Sequence, residues 1–135
     1  MATTSSTWSF DSCTPPRFCG VDAERVARFS TLDIRRTHPF PFVFTAREIY
    51  FNRKARNLSL GLCVSFCCKE AVFKALGVPY NFTDCEILYA GEPGLVPIRL
   101  ARPLCREHGL AGGAAMVRVV GRGSRAEAVV AAYLF

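Results

Sequence analysis

The sequence predicts an α+β domain, helices packed on a mainly antiparallel sheet, and three observations carry that expectation. Helical patterns fill the first half of the chain and short strand patterns cluster in the second, so the two kinds of element are segregated rather than alternating. The 135 residues, half of them hydrophobic, are enough for one sizeable core and too few for two. No internal repeat divides them.

Taken in order, residues 1–12 have neither a basic start nor an apolar run, so they read as a loose tail and not a signal peptide. We set the tail at 1–16 and the domain at 17–135. A strand is expected at 17–22 and a short helix at 23–29 with Val26 and Phe29 inward. After the break at Pro39 and Pro41, Thr45-Ala46-Arg47-Glu48 is a capping box that starts a helix to about residue 56. A second helix spans 59–76 and stops at Gly77 and Pro79. Residues 85–89 and 96–100 read as strands around a Gly/Pro turn, and 102–108 as a short helix ended by Gly109. A last hairpin pairs 116–120 with 128–134 around Gly121-Arg122-Gly123-Ser124-Arg125.

The helix at 59–76 is nearly all apolar yet carries Lys69, Glu70 and Lys74. Charge is costly there, and at 3.6 residues per turn Glu70 shares a face with Phe66, Phe73 and Lys74. Such a carboxylate calls for a cation. Upstream, Asp22 and Glu24 stand at the period-2 spacing that points both to one face of a strand. If that strand end meets Glu70, three hard oxygen ligands converge, a set that suits magnesium completed by waters and substrate phosphates. The plainer alternative for Glu70 and Lys74 is an i,i+4 surface pair, worth about 0.3–0.5 kcal/mol.

Charge and cysteine content narrow the partners. The net charge is +6, with fourteen arginines against three lysines, and arginine suits a bidentate grip on phosphate or carboxylate. Arg25, Arg28, Arg35 and Arg36 form one cluster; Arg47, Arg53, Lys54 and Arg56 form another. Each is either a solvated helix face or a docking surface for an acidic partner. The aromatics do not interleave with the arginines as nucleic-acid stacking requires, and no stretch approaches the roughly 20 apolar residues that span a bilayer. Neither a nucleic acid nor a membrane is therefore expected as a partner. The seven cysteines are odd in number, and Cys63, Cys67 and Cys68 lack zinc-like spacing, so they read as reduced packing residues of a cytoplasmic protein.

Gly20-Val21-Asp22, together with Phe66-Cys67-Cys68-Lys69-Glu70-Ala71-Val72-Phe73-Lys74, resembles the GxD strand and (F/W)xxKEAxxK helix of the 4'-phosphopantetheinyl transferases. Length and the order of the other signals look most like the small holo-acyl-carrier-protein-synthase type, over roughly residues 18–135. The resemblance implies transfer of the phosphopantetheine arm of coenzyme A to a serine of an acyl or peptidyl carrier protein, which is acidic. It implies magnesium on Asp22 and Glu70, with Glu24 as a third ligand by its likeness to the D-x-E of the larger surfactin-synthetase-activating type, since the small type usually has an apolar residue there; Glu70, directly or through a metal-bound water, takes the serine proton, and Lys74 and Lys69 add positive charge. It also implies a carrier-contacting role for Arg28 and a homotrimer with the site between subunits.

Three departures fall on the coenzyme A side. Ser65 stands where the family carries Arg, Val78-Pro79-Tyr80-Asn81 replaces a glycine-containing loop, and Gly121-Arg122-Gly123-Ser124 aligns with the family's Ser-x-Ser-His. Arg122, Ser124 and Arg125 are the expected replacements for the lost coenzyme A contacts. Two readings follow: a working transferase, or a non-catalytic transferase-like module that binds a carrier protein or coenzyme A. No metal carboxylate is lost, which favours the first.

Overall fold

In the computed structural model, which describes residues 15–30, 42–54, 58–92 and 94–135, the elements are β1 (Phe18–Arg25), α1 (Ala46–Lys54), α2 (Leu58–Leu76), β2 (Cys85–Glu86), β3 (Leu95–Leu100), α3 (Arg102–His108), β4 (Gly113–Val120) and β5 (Glu127–Leu134). The strands form one sheet in the order β1-β5-β4-β3-β2, with every neighbouring pair antiparallel. This is the α+β class that the sequence predicts.

Alternation in β1 turns Phe18, Gly20, Asp22 and Glu24 to its more buried face and leaves Cys19, Val21, Ala23 and Arg25 exposed. That inner face lies under α2, which also packs on β5. The crossing is closest at Gly20, where a Cβ would stand 2.0 Å from the Ala71 carbonyl oxygen and 2.7 Å from the Ala75 nitrogen. Only glycine lets the strand pass at that distance. Helix α2 buries Leu62, Cys63, Val64, Cys67, Cys68, Ala71 and Val72 completely, and Gly77 closes it with φ at +73°. The buried cysteines pack as small hydrophobes, and all six described cysteines are free thiols. Burial pushes the Cys63 thiol up to about 12.

The capping box forms as expected: Glu48 N–H donates to Thr45 Oγ1 at 3.1 Å and Thr45 N–H donates to Glu48 Oε1 at 2.9 Å. Helix α3 has the expected bounds and ends at Gly109, which is left-handed with φ at +66°. Three elements differ from expectation. The strand expected at 116–120 begins already at Gly113, because Gly113, Ala114 and Ala115 pair with both β3 and β5. The helix expected at 23–29 is strand as far as Arg25, because β1 keeps its ladder with β5 down to the Arg25 and Glu127 pair; Val26–Phe29 then makes one 3-10 turn with Phe29 buried. The strand expected at 85–89 stops at Glu86. The next N–H, on Ile87, donates to the Glu48 carboxylate at 3.1 Å instead of to a neighbouring strand. Residues 1–14 of the expected tail, the break at Pro39 and Pro41, and Arg35, Arg36 and Arg56 lie outside the described residues.

Candidate active site

The close crossing at Gly20 puts the next inward residue of β1, Asp22, against the last turns of α2. Lys74 Nζ donates to Asp22 Oδ1 at 2.7 Å, an ion pair that joins strand and helix. The hydrogen bond to Asp22 and its charge raise the Lys74 pKa above the ordinary lysine value. The other carboxylate oxygen, Asp22 Oδ2, is buried without a hydrogen-bond partner. An orphaned, buried, anionic oxygen is an unmet demand for a cation or a donor.

Glu70 lies one turn before Lys74 on α2 and is half-buried. Its carboxylate makes no hydrogen bond or ion pair within the described residues. Burial raises its pKa above the usual glutamate value; the charges of Asp22 and Glu24 add to the rise, and Lys74 and Arg28 oppose it. The charges of Asp22, Glu24 and Lys74 therefore all reach Glu70.

Glu24, the next inward residue of β1, is already engaged. Arg28 Nη1 from the 3-10 turn donates to Glu24 Oε2 at 2.8 Å. The same guanidinium lies 5.6 Å from the centroid of the Phe66 ring, which packs in turn on Phe29 and Phe82. No group of three acidic, His or Cys side chains is gathered for a metal among the described residues. The donor set still fits a hard cation: two carboxylates from β1 and α2, one with an unsatisfied oxygen, and a third two residues along the same face of β1. Magnesium needs only one or two protein carboxylates when waters and phosphates complete its shell.

Lys69 is a correction. Expected at the coenzyme A site, it is fully buried on the other side of α2, where its ammonium is 2.9 Å from Glu48 Oε1. It also donates to the Phe82 carbonyl at 2.8 Å and to the Cys85 carbonyl. Ser65 Oγ donates to Glu48 Oε2 at 2.5 Å, so the residue in place of the family's Arg belongs to this internal network. The sequence reading missed Glu48 beyond its capping role. The available signal was Lys69 itself, a cation on the apolar face of α2 that could stay there only with a buried anion.

Arg122, Ser124 and Arg125 are exposed in the β4–β5 turn and stand apart from the carboxylates. Asp22 pairs with Val130 and the last β1 residue with Glu127, so the turn begins beyond a point three register positions, about 10 Å, from Asp22. It packs beside the 3-10 turn that carries Arg28, with Val26 N–H donating to the Ala126 carbonyl at 3.0 Å.

The family model of the 4'-phosphopantetheinyl transferase superfamily matches residues 18–112 of this chain. A holo-[acyl-carrier-protein] synthase of Caldanaerobacter subterraneus subsp. tengcongensis is 32% identical over 98 residues, 69% of this chain and 77% of that protein. Among solved structures, the chain resembles the holo-[acyl-carrier-protein] synthase of Helicobacter pylori in complex with coenzyme A, with a TM-score of 0.63 at 17% identity, covering 87% of this chain and 99% of that one. The Neisseria meningitidis synthase gives a TM-score of 0.63 at 20% identity, covering 87% and 98%.

Proposed function

Because the chain belongs to the 4'-phosphopantetheinyl transferase superfamily, we propose that the Asp22, Glu70 and Lys74 site transfers the phosphopantetheine arm of coenzyme A to a serine of an acyl carrier protein. The observation that carries this reading is the half-buried, unpaired Glu70 carboxylate held beside Asp22 by the crossing of α2 and β1.

In the reaction the serine oxygen bonds to the phosphorus that carries the pantetheine arm. The bond from that phosphorus to the bridging oxygen of the diphosphate breaks. Adenosine 3',5'-bisphosphate leaves with the electron pair, and the serine proton passes to Glu70. Burial and the neighbouring Asp22 make Glu70 a stronger base than a solvated glutamate. Lys74 holds Asp22 in place and adds fixed positive charge toward the diphosphate. Asp22 and Glu70, with Glu24 as a third donor, would hold magnesium, which supplies neutralisation of charge on the diphosphate when bound.

The enzyme in this reading works in the reducing cytoplasm as a homotrimer. Support for assembly comes from an apolar row on the sheet face away from α2. Val21, Ala131, Met116 and Leu95 stand directly opposite one another across β1, β5, β4 and β3. Val21 is 57% exposed and Met116 41%. An exposed apolar row of this kind supports a contact surface there. With the site between subunits, the Arg122, Ser124 and Arg125 turn of one copy serves the nucleotide bound at its neighbour, which accounts for its separation from Asp22 within one chain.

The direct test is the mass of an apo carrier protein incubated with this protein, coenzyme A and magnesium. The expected result is a gain of one phosphopantetheine, abolished by Glu70→Gln, which keeps shape and removes the base. Near-wild-type transfer by that variant would remove the mechanism.

A further inference from the structure

The third carboxylate of the site is occupied by a charge that the chain itself supplies. Glu24 shares the inward face of β1 with Asp22, two residues away, and its field reaches Glu70. Yet its Oε2 accepts from Arg28 at 2.8 Å, and the same Arg28 guanidinium lies 5.6 Å from the centroid of the Phe66 ring, one helical turn from Glu70. Phe66 is itself braced by Phe29 and Phe82. The guanidinium thus has a defined resting place next to the carboxylate and not a chance position in solvent.

We propose that Arg28 is a resident counter-ion that a divalent cation displaces from Glu24, so that metal binding at Asp22 and Glu70 recruits Glu24 as a third ligand and releases the Arg28 guanidinium. The proposal rests on the magnesium reading above.

Three observations carry it. Asp22 Oδ2 is buried and unsatisfied on the same strand face that carries Glu24 two residues on, so the unmet demand for a cation lies on the face that Glu24 shares. The Glu24 side chain is 19% exposed whereas that of Arg28 is 58% exposed, so it is the arginine that can leave without opening the site. A monovalent, delocalised guanidinium competes poorly with a divalent ion for a hard carboxylate oxygen. The exchange also has a consequence for partners. By linkage, any anionic group that takes Arg28 raises cation affinity by the same factor by which the cation raises the affinity for that group.

The test compares wild type, Glu24→Gln, Arg28→Met and the double variant, with manganese binding followed by electron paramagnetic resonance and magnesium binding by calorimetry. Methionine keeps an apolar stem on Phe66. Arg28→Met is expected to tighten metal binding about fivefold or more, in the range of ordinary coupling between sites, and most of that gain is expected to vanish in the Glu24→Gln background. An equal gain in both backgrounds would reduce Arg28 to a general field effect and overturn the exchange. No gain would show that Arg28 does not compete with the metal and would overturn the exchange. Independently, the Arg28 Nε–Hε resonance should move on addition of magnesium in wild type and stay still in Glu24→Gln; a resonance unmoved in wild type overturns the release. Failure of wild type to bind either ion would overturn the exchange and, separately, the magnesium reading on which it rests.

Discussion

At the scale of single residues, the site depends on a carboxylate kept partly out of water and left without a partner. Glu70 is raised by burial first and by Asp22 second, so in the metal-free protein its carboxyl should titrate above the usual glutamate range. Carbon-detected titration of the glutamate Cδ signals checks this, and Asp22→Asn should bring the Glu70 midpoint partway down. An ordinary Glu70 midpoint would show that the site does not prepare a base. The stability effect has a definite sign. The folded state holds the Glu70 proton more tightly than the unfolded chain, so this group alone makes stability fall as pH rises from the usual glutamate range through the raised value. Transfer activity runs the other way, because only the deprotonated form takes the serine proton.

The elements are aligned by two devices on opposite sides of α2. On one side Gly20 lets β1 approach the helix backbone, which sets Asp22 against Lys74. On the other, Lys69 ties α2 to Glu48 of α1 and to the Phe82 and Cys85 carbonyls, and Tyr80 Oη donates back to the Lys69 carbonyl at 2.8 Å. Both charges of the Lys69 and Glu48 pair are fully buried. Lys69→Met would leave the Glu48 carboxylate buried with hydrogen bonds but no cation, a change that costs about 3–5 kcal/mol. Chemical denaturation should show that loss, and adding Glu48→Gln should recover part of it, since the two residues act as one unit. A loss equal in the single and double variants would mean that the pair contributes through packing alone.

For the whole molecule, the layout is a sheet covered by α2 on one face and bare along the Val21, Ala131, Met116 and Leu95 row on the other. Met116→Asp puts a charge in the middle of that row and should turn the proposed trimer into monomers in sedimentation velocity, with β structure retained by circular dichroism. A trimer that survives the change would place the contact elsewhere. Coenzyme A binding tests the β4–β5 turn. Arg122→Ala with Arg125→Ala should weaken it by calorimetry far more than the control Arg53→Ala with Lys54→Ala at the end of α1. If the turn serves a neighbouring copy, Met116→Asp should weaken coenzyme A binding as well. Equal effects of the two arginine pairs would remove the turn from the nucleotide side.

Local patterns were enough to determine the capping box at Thr45, the span and stop of α2, the bounds of α3, the turn of the last hairpin and the shared face of Asp22 and Glu24. Each of these depends on helical or strand periodicity, or on a glycine or capping residue within a few positions. The Gly20-Val21-Asp22 and Phe66 to Lys74 motifs likewise named the residues that meet, because the glycine and the helix spacing are themselves the conditions for their meeting. Tertiary structure alone decided the direction of each charge. Lys69 and Lys74 look alike in a helical pattern, but one faces α1 and the buried Glu48 and the other faces Asp22, according to which neighbour packs on which side of α2. Ile87 leaves the strand pattern because a carboxylate 39 residues earlier in sequence takes its N–H. Glu24 is paired with Arg28 because β1 continues to Arg25 and then turns, which brings the guanidinium back over Phe66. The Lys69, Lys74 and Ile87 contacts join elements distant in sequence and are set by how α2 packs against α1 and the sheet, whereas the Glu24 and Arg28 pair is local at i,i+4 and closes because β1 ends at Arg25.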